Sequence, residues 1–524
     1  MNMPKRIDLN PEELEALLDR VRNGSLQDGD YEIIRAMSET IAFLSQVSEE
    51  KAASIKRLLR MLFGAKTEKA KNVIDPSQKA DPEKDKQESN PKEKEKQTGH
   101  GRNGASEYTG ADKVKVSHEE LKSGDNCPGC LKGKVYDMAT PGVVVRVTGT
   151  APLKATVYEL EKLRCNLCGQ IFTAKTPSGL GDEKYDAASG AMIALLKYGS
   201  GLPFNRLQQL QGAMGVPLPA STQWAIVEKV AEGIFPAYDE LIRQAAHGDV
   251  LHNDDTTMKV MSLAAENALD ENQSRRGMFT TGIVSHIDER KIALFFTGRK
   301  HAGENMNEVL SNRRSDLNPP IQMCDALSRN LPKDFKVILI NCLVHARRNF
   351  IDVLPNFPQQ CSYVIKQLGE VYKNDKAAKE KNMSPNQRLQ YHQSHSGPLM
   401  EILYRWLNEQ IDEKKAEPNS GLGKAISYML KRWDELTGFL RVPGAPLDNN
   451  LCEQALKKAI LHRKNALFYK TQRGAYVGDL FMSLIHTCNL CHVNPFEYLS
   501  ALQKRAPELS ISPRSWMPWN YPKP

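Results

Sequence analysis

The C-terminal half of the chain, from about Gly248 onward, constrains the fold most, because short apolar runs alternate there with helical patterns. Runs of four to eight apolar or β-branched residues are typical of strands, and a 3.6-residue periodicity is typical of helices. We expect strands in the segments GDVLHND, TMKVMSL, MFTTGIVSHI, KIALFFTG, IQMCDALS and FKVILIN. The stretch from Asn349 to Arg441 is helical in pattern and has no strand-like run. The pattern therefore predicts an α/β fold interrupted by helices.

Two of these strands end in an aspartate, and a glutamate follows much later on a predicted helix. Asp254 follows the apolar run DVLH, and Asp325 follows PPIQMC. Glu453 lies one turn into a helix that Asp448 or Asn449 can cap. Taken singly, such acids are more often turn formers or partners of a helix dipole. Taken together, three converging carboxylates would repel one another unless cations neutralised them.

The acidic residues predict a site for two divalent cations. Hard oxygen ligands select Mg²⁺ or Mn²⁺. Two such ions about 3.5–4 Å apart can activate an attacking oxygen and stabilise a leaving oxygen in phosphoryl transfer. We predict that Asp254 bridges both ions and that Asp325 and Glu453 each complete one site. Asp255 would point to the opposite side of an extended chain, so we assign it a supporting role.

Four cysteines in two CxxC pairs predict a zinc ribbon within residues 114–181. The pairs are Cys127–Cys130 and Cys165–Cys168, and alternating runs such as VVVRV separate them. Four thiolates form a closed tetrahedral site for structural Zn²⁺, with no open position for catalysis. The alternative is a small β-unit with unmetallated thiols, which would have little core of its own.

The N-terminal part of the chain is predicted to hold a dimerisation helix and a linker. Within residues 1–65, apolar residues from Ile34 to Leu62 fall on a and d positions of one heptad frame. This pattern favours a coiled coil over a helix packed on its own domain. Residues 66–113 are rich in Lys, Glu, Pro, Asp and Gly, and they cannot bury enough surface to offset their ordering entropy. We expect a disordered, charged tether there.

Composition limits the class of protein. The 524 residues suggest about three or four domains, and 40% hydrophobic with 26% charged residues is typical of globular chains. No stretch reaches the roughly 20 apolar residues of a membrane span, and the N-terminus lacks the features of a signal peptide. We therefore expect a cytoplasmic protein with reduced cysteines. The net charge of +8 suits a nucleic-acid partner.

Residues 182–245 are predicted to contain a helix-turn-helix. LPFNRLQQLQGAMGV and PASTQWAIVEKVAEGI have helical patterns on either side of a turn at Gly215-Val216-Pro217. If this pair binds DNA, the side chains in the groove would be Ser221, Thr222, Gln223 and Lys229. A helical hairpin without DNA contacts fits the same spacing equally well.

Basic residues close to the acidic motifs are candidates for contacts with a phosphate backbone. One pair follows the last predicted strand, and the other lies about three turns beyond Glu453. A solvated basic face explains the second pair almost as well. The four candidates are Arg347, Arg348, Arg463 and Lys464.

The acidic motifs resemble those of the IS66-type insertion-sequence transposases, and the resemblance covers nearly the whole chain. Family members carry a strand that ends in Asp-acidic-Thr, matched here by His252–Thr256. Their last motif runs Asp-Asn-Asn, Glu, Ala-Leu and Arg-Lys-Asn, matched by Asp448–Leu456 and Arg463–Asn465. The double CxxC, the segment RLLRMLFGAKTEK and Pro518-Trp519 match as well.

The sequence departs from the family pattern at two places. Asn253 stands where the family usually has a small residue, and Ala326-Leu327 replaces an aromatic-containing stretch. Neither departure touches a proposed metal ligand.

The resemblance implies a multidomain α/β protein with an RNase H-like catalytic core split by helices. The core would comprise residues 246–348 and, with the C-terminal tail, 441–524, and the helical insertion would comprise residues 349–440. It also implies a DDE-type transposase that cuts DNA with Mg²⁺ or Mn²⁺ and joins the freed 3′-OH to target DNA. Implied partners are double-stranded DNA at the element ends and target, a second or further copy of the chain, and accessory proteins of the element. Such a protein would associate with the bacterial nucleoid.

Two cysteine-histidine motifs are open to more than one interpretation. In related DDE enzymes a Cys-x-x-His pair lies close to the active site, which makes His345 of Cys342-Leu343-Val344-His345 a candidate for orienting a phosphate or carboxylate. We slightly prefer a core histidine there. Cys488-Asn-Leu-Cys491 imitates a metal knuckle but lacks a second pair, so we interpret it as structural.

Two other functions compete with a transposase. One is a non-catalytic DNA-binding regulator derived from such an element, which the intact Asp, Asp and Glu disfavour. The other is a different RNase H-like nuclease such as a junction resolvase, which the predicted N-terminal DNA-recognition modules disfavour.

Overall fold

The computed structural model describes most of the chain after residue 183 and shorter pieces before it. The described residues are 11–25, 27, 29–35, 37, 122–126, 128, 130, 132–136, 152–164, 171–175, 177, 183–269 and 275–522. The predicted linker at 66–113 lies outside them, as does the heptad seam after Met37. Three of the four predicted zinc ligands, Cys127, Cys165 and Cys168, also lie outside the described residues. The coiled coil and the zinc ribbon therefore stay predictions.

The chain divides into two compact units, residues 80–159 and the remainder. In the smaller unit Asn126 and Lys134 form an antiparallel bridge. Between them, the Sγ of Cys130 accepts a hydrogen bond from the Gly133 N–H at 3.4 Å. This is a tight turn around an exposed thiol.

The larger unit alternates strands and helices. Its described strands are β1 Lys162–Arg164, β2 Ile171–Thr173, β3 Val250–Thr257, β4 Phe279–Ile287, β5 Arg290–Gly298, β6 Ile321–Cys324 and β7 Ile338–Asn341. Its described α-helices are α1 Pro11–Arg22, α2 Ala187–Ala194, α3 Phe204–Ala213, α4 Ala220–Ala245, α5 Met261–Leu269, α6 Ala302–Leu310, α7 Leu343–Val353, α8 Pro358–Glu380, α9 Pro385–His395, α10 Gly397–Asp412, α11 Gly421–Leu430, α12 Trp433–Leu436, α13 Asn450–Ala466, α14 Gln472–Leu490, α15 Pro495–Lys504 and α16 Ala506–Ile511.

A five-stranded mixed sheet with the order β5-β4-β3-β6-β7 forms the centre of this unit. β4 runs antiparallel to both of its neighbours, β5 and β3, whereas β6 and β7 run parallel to β3. β3 therefore lies in the middle, and its carboxyl end lies beside the carboxyl ends of β6 and β7. The small sheet of β1 and β2 is antiparallel and separate.

Helices cover both faces of the large sheet. On one face α13 packs on β3 and β4, and a Cβ added to Gly282 would lie 3.0 Å from the Leu456 side chain. Glycine at this position lets the helix approach the sheet closely. On the other face α6 and α4 pack through buried hydrogen bonds, from Asn305 Nδ2 to Thr281 Oγ1 and from Ser285 Oγ to the Ala245 carbonyl, both 2.7 Å long.

The outer edge of β5 is covered by α14 rather than by another strand. Side chains on one face of α14, Asp479, Ser483 and Thr487, accept the backbone N–H groups of Thr297, Phe295 and Ala293 at 2.6, 2.9 and 3.0 Å. Every second strand residue advances about 6.6 Å and every fourth helix residue about 6 Å, so the two periodicities match. α14 thereby supplies hydrogen-bond acceptors to backbone N–H groups of β5 that would otherwise be open to pairing with another strand.

The region after β7 is helical, as its sequence pattern predicts. The helices α7 to α12 pack around apolar side chains such as Phe350, Leu368, Leu403 and Ile426, and this core continues onto Met323 of β6. The helical region thus lies on the same face of β6 and β7 that α13 covers on β3 and β4.

The strand predicted over TMKVMSL is wrong. β3 ends at Thr257, and Met261–Leu269 forms α5. The apolar residues Met258, Val260 and Leu263 pack against Tyr469 and Ala475 of the C-terminal segment instead of joining a sheet. Among the residues that the structure describes, no helix is both long and apolar enough to cross a membrane.

Candidate active site

Parallel pairing of β3 with β6 brings the first two acidic residues together. The register pairs Leu251 with Gln322 and His252 with Met323. Carried forward by two residues, it sets Asp254 beside Asp325. Both side chains lie two positions beyond His252 and Met323, so they point to the face covered by α13 and the helical region.

The charge on Asp254 is strongly disfavoured. Burial raises its pKa to about 7, and the nearby carboxylates of Asp325, Asp255 and Glu453 contribute in the same direction. The Asp255 N–H, which donates to Asp254 Oδ1 at 2.8 Å, acts in the opposite direction. Asp254 is thus a carboxylate surrounded by negative charge and without a cationic partner among the described residues.

Asp325 is held by the turn that follows β6. The Leu327 N–H donates to its Oδ1 at 3.3 Å, and Asn330 Nδ2 donates to the same oxygen. Burial raises the pKa of Asp325, while these donors and the nearby side chains of His345 and Arg329 partly oppose the rise. The short helical turn Ser328–Asn330 therefore orients the second acidic residue.

Glu453 approaches the two aspartates from the first turn of α13. Its half-buried side chain lies 3.9 Å from His345, measured from Oε1 to Nε2. Glu453 Oε1 is buried and has no hydrogen-bond partner. A half-buried histidine beside the third acidic residue does not fit our preference for a satisfied core histidine at His345.

The acidic residues suit divalent cations. Three carboxylates converge, one has a pKa raised partly by the other two, and one carries a buried oxygen without a donor. Such a cluster is costly alone and becomes favourable when cations neutralise it. All the donors are hard oxygens, which suits Mg²⁺ or Mn²⁺.

A buried asparagine that the sequence reasoning did not assign to the site joins its three parts. Asn449 Nδ2 donates to the Asn253 carbonyl at 3.1 Å, and its Oδ1 lies 3.0 Å from His252 Nδ1. Its backbone N–H donates to Cys342 Sγ at 3.3 Å. Asn449 therefore connects β3, the start of α7 and the start of α13. The Asp-Asn-Asn motif was the signal that could have identified it.

The helix cap predicted before Glu453 differs in detail. Asn449 occupies the N-cap position, but its side chain turns into the core and caps no N–H. Asp448 Oδ1 instead accepts the Asn450 N–H at 3.1 Å.

Burial lowers the pKa of His252 to about 3, so its ring is neutral, and the amide orientation makes Nδ1–H the donor to Asn449.

Asp255 lies on the opposite face of β3 from Asp254, as the alternation of an extended strand requires. Its buried carboxylate contacts His301 Nδ1 at 3.0 Å and Arg329 Nη2 at 3.4 Å. Arg329 follows Asp325 in the chain, so this ion pair holds the second acidic segment against β3. The supporting role predicted for Asp255 is consistent with these contacts.

The basic residues near the site differ in position. Arg463 is anchored to the end of β3, where its Nη1 donates to Thr256 Oγ1 at 3.2 Å and to Thr257 Oγ1 at 2.6 Å. Lys464 is exposed and Arg348 is half-buried. Arg347 is only 8% exposed, so the phosphate contact predicted for it does not fit its position.

The predicted helix-turn-helix corresponds to α3 and α4, with Gly215 in the left-handed conformation at the turn (φ 74°). Ser221 is exposed and Thr222 half-buried on the first turn of α4. The prediction for Gln223 is wrong. Its side chain is fully buried and donates to the carbonyls of Phe204 and Leu218 at 3.0 and 2.9 Å, so it holds the two helices together. Lys229 is exposed and pairs with Glu183 at 2.7 Å.

Comparison with known sequences decides the family. Residues 184–477, more than half of the chain, match the sequence profile described as Transposase IS66 family. The chain belongs to the IS66 transposase family. The matched range contains all three acidic residues and the helices that surround them.

Several curated relatives of this IS66 family member come from Sinorhizobium fredii. Uncharacterized protein y4hP is 24% identical over 69% of this chain and 67% of its own length. Uncharacterized protein y4jD is 26% identical over 64% of this chain and 66% of its own length. Uncharacterized protein y4qI is 26% identical over 35% of this chain and 34% of its own length. The chain thus spans about two thirds of the first two relatives.

Proposed function

We propose that this chain is a DNA transposase that binds the terminal inverted repeats of an insertion sequence, cleaves them and joins the 3′-OH ends to target DNA. Membership of the IS66 family supports a transposase. The observation that carries the chemical part is the convergence of Asp254, Asp325 and Glu453 on one face of the sheet. Burial raises the pKa of Asp254 most, and the charges of Asp325 and Glu453 raise it further.

We further propose that the sheet and its helices form an RNase H-like core. Support comes from the order β5-β4-β3-β6-β7, in which the central strand β3 has an antiparallel neighbour, β4, on one side and a parallel neighbour, β6, on the other. Acidic residues on adjacent strand segments, Asp254 within β3 and Asp325 just after β6, with a third on the helix that covers this face of the sheet, suit such a core. Residues 349–440 would then be its helical insertion.

Asp254, Asp325 and Glu453 would hold Mg²⁺ or Mn²⁺. When bound, the cations supply activation of the attacking oxygen and stabilisation of the leaving oxygen in an in-line phosphoryl displacement. The surrounding residues hold these ligands in place. Asn449 ties the strand of Asp254 to the helix of Glu453, and Asn330 orients Asp325.

Two further residues act beside the ligands in this proposal. His345 lies 3.9 Å from Glu453, where it can orient that carboxylate or meet a phosphate oxygen. Arg463 fixes the end of β3 through Thr256 and Thr257, so it keeps the backbone after Asp254 in register with α13. Its role is therefore positional as well as electrostatic.

DNA recognition is proposed for the modules on the N-terminal side of the core. The zinc ribbon and the α3–α4 pair would bind the element ends, with Ser221, Thr222 and Lys229 as contacts, and the N-terminal coiled coil would join two protomers. The exposed position of Ser221 at the start of a 26-residue helix supports this assignment, because helix N-termini favour phosphate.

The test is a cleavage assay with the full-length chain. A labelled duplex carrying the DNA that flanks its gene is incubated with Mg²⁺, and nicked products are resolved on a denaturing gel. Asp254→Asn should bind the duplex but lose cleavage by about 10³-fold or more, since a ligand of the cations is lost. Asp288→Asn is the matched control, because Asp288 is exposed in the β4–β5 turn at a positive φ that asparagine tolerates.

The outcomes separate the candidate functions. Binding without Mg²⁺-dependent cleavage by the wild type would support the non-catalytic regulator instead. Cleavage that persists in Asp254→Asn would overturn the acidic site. Cleavage of branched junctions in preference to element ends would favour a resolvase.

A further inference from the structure

Three side chains beside the acidic site bring together donors of a different chemical type. Ligand atoms of Cys342, His345 and Glu453 all lie within 4.8 Å of one another. Cys342 is the N-cap of α7, and His345 lies three residues later, one turn into the same helix. Glu453 reaches the pair from the first turn of α13.

The donors are only partly satisfied by the protein. His345 Nδ1 and Glu453 Oε1 are buried atoms without a hydrogen-bond partner. Buried polar atoms are nearly always paired, so two orphan atoms in one cluster indicate a missing partner. Both side chains stay about a quarter exposed, at 26% and 27%, which leaves a path from solvent.

Burial raises the pKa of the Cys342 thiol to about 11, and the backbone N–H groups around the sulfur partly oppose that rise. The Asn449 N–H donates to Cys342 Sγ at 3.3 Å, and the N–H groups of His345 and Val344 also favour the thiolate over the thiol. The positive end of the α7 dipole acts in the same direction. Backbone donors around the sulfur of a Cys-x-x-His turn are what a metal knuckle presents.

We propose that Cys342, His345 and Glu453 form a binding site for Zn²⁺ that is distinct in chemistry from the Mg²⁺ site but shares Glu453 with it. Thiolate, imidazole and carboxylate together select Zn²⁺ over Mg²⁺. Binding releases the thiol proton to solvent as the Zn–S bond forms. Tetrahedral coordination with ordinary bond lengths needs ligand atoms about 3.4–3.6 Å apart, so the cluster has to close by roughly 1 Å. A fourth position remains for water.

The shared ligand makes Zn²⁺ an inhibitor of cleavage. When Glu453 binds Zn²⁺ together with Cys342 and His345, its carboxylate is no longer available to bind Mg²⁺ together with Asp254 and Asp325. Zinc binding itself is independent of the proposed function, whereas the inhibition rests on it. The two can therefore fail separately.

Binding is tested on the full-length chain by zinc titration and by the ultraviolet thiolate-to-Cd²⁺ charge-transfer band. The predicted ribbon also binds zinc, so the readout is a difference between variants. Cys342→Ala should bind one equivalent less than wild type and lose part of the Cd²⁺ band, whereas Cys361→Ala should match wild type because Cys361 lies buried in the helical core. His345→Asn, at a half-buried position, should weaken this equivalent by about tenfold or more.

Equal zinc stoichiometry and equal Cd²⁺ bands in wild type, Cys342→Ala and His345→Asn would overturn the proposal. Circular dichroism confirms that each variant is folded, and His345→Asn decides the question if Cys342→Ala does not fold. In the cleavage assay, each variant's rate with added zinc is divided by its own rate in Mg²⁺ alone. The zinc concentration that halves this ratio should be about tenfold higher for His345→Asn than for wild type. If the wild type cleaves nothing, the proposed function fails while the titration still decides the zinc site.

Discussion

Replacing Asp254 by asparagine should stabilise the cation-free protein while abolishing catalysis. The substitution removes a charge that the fold disfavours and keeps an oxygen that can accept the Asp255 N–H. The pKa of Asp254 moves from its ordinary value of 3.8 to about 7, chiefly because of burial and then because of Asp325. At about 1.4 kcal/mol per unit of pKa shift, the charged Asp254 lowers the free energy of unfolding of the wild type by about 4 kcal/mol at pH 8.

The sign follows from proton linkage. Between pH 4 and 7 the folded state keeps a proton on Asp254 that the unfolded state has already lost. Wild-type stability therefore falls as pH rises through this window, and the loss is complete above pH 7. Asparagine does not titrate, so the stability advantage of the variant should grow by about 3 kcal/mol between pH 5 and pH 8.

Urea unfolding monitored by tryptophan fluorescence, in buffer without Mg²⁺ or Mn²⁺, measures this difference. Asp288→Asn, at the exposed β4–β5 turn, serves as the control and should follow the wild type at both pH values. Adding Mg²⁺ should stabilise the wild type and Asp288→Asn but not Asp254→Asn, because a ligand that binds only the folded state stabilises it by mass action. An advantage of Asp254→Asn that is absent, or equal at pH 5 and pH 8, would refute the electrostatic reasoning.

Four further substitutions test the scaffold and the DNA contacts. Asn449→Ala leaves the buried His252 Nδ1 and the Asn253 carbonyl unpaired, so it should lower the urea unfolding free energy by about 2–5 kcal/mol and slow cleavage. Asp479→Asn should flatten the fall in stability between pH 4 and 7, since burial raises the pKa of Asp479 to about 7; an unchanged pH profile would contradict this. Gln223→Ala should destabilise the α3–α4 pair by about 1–3 kcal/mol without changing the salt dependence of DNA binding. Lys464→Ala should reduce the slope of log affinity against log salt by about one if Lys464 contacts a phosphate, and an unaltered slope would exclude that contact.

Local pattern was sufficient for most of the secondary structure around the acidic residues. Apolar runs predict β3 and β6. In the structure Asp254 lies inside β3, three residues before its end, and Asp325 directly follows β6. The polar motif before Glu453 predicts a helix start, and α13 begins at Asn450. These features depend on residues within one or two turns of each other, where periodicity and capping preferences act directly.

Local pattern failed where burial depends on distant segments. TMKVMSL has the composition of a strand, but its apolar residues find Tyr469, about 200 residues later, and part of the segment becomes helix. Gln223 and Arg347 are polar residues that the sequence predicts to face DNA, yet both are buried. In all three cases, packing against distant elements determines which side chains are buried. The local periodicity of the sequence contains no information about that packing.

The sequence by itself determined which residues could form an acidic site: two aspartates that follow apolar strand-forming runs and a glutamate in the first turn of a helix. Only the tertiary structure decided that they meet, through the parallel β3–β6 register and the Asn449 contacts to Asn253 and Cys342. The physical reason is distance along the chain. His252 and Asn449 are separated by 197 positions, and their hydrogen bond exists only because the sheet, α7 and α13 pack into one core.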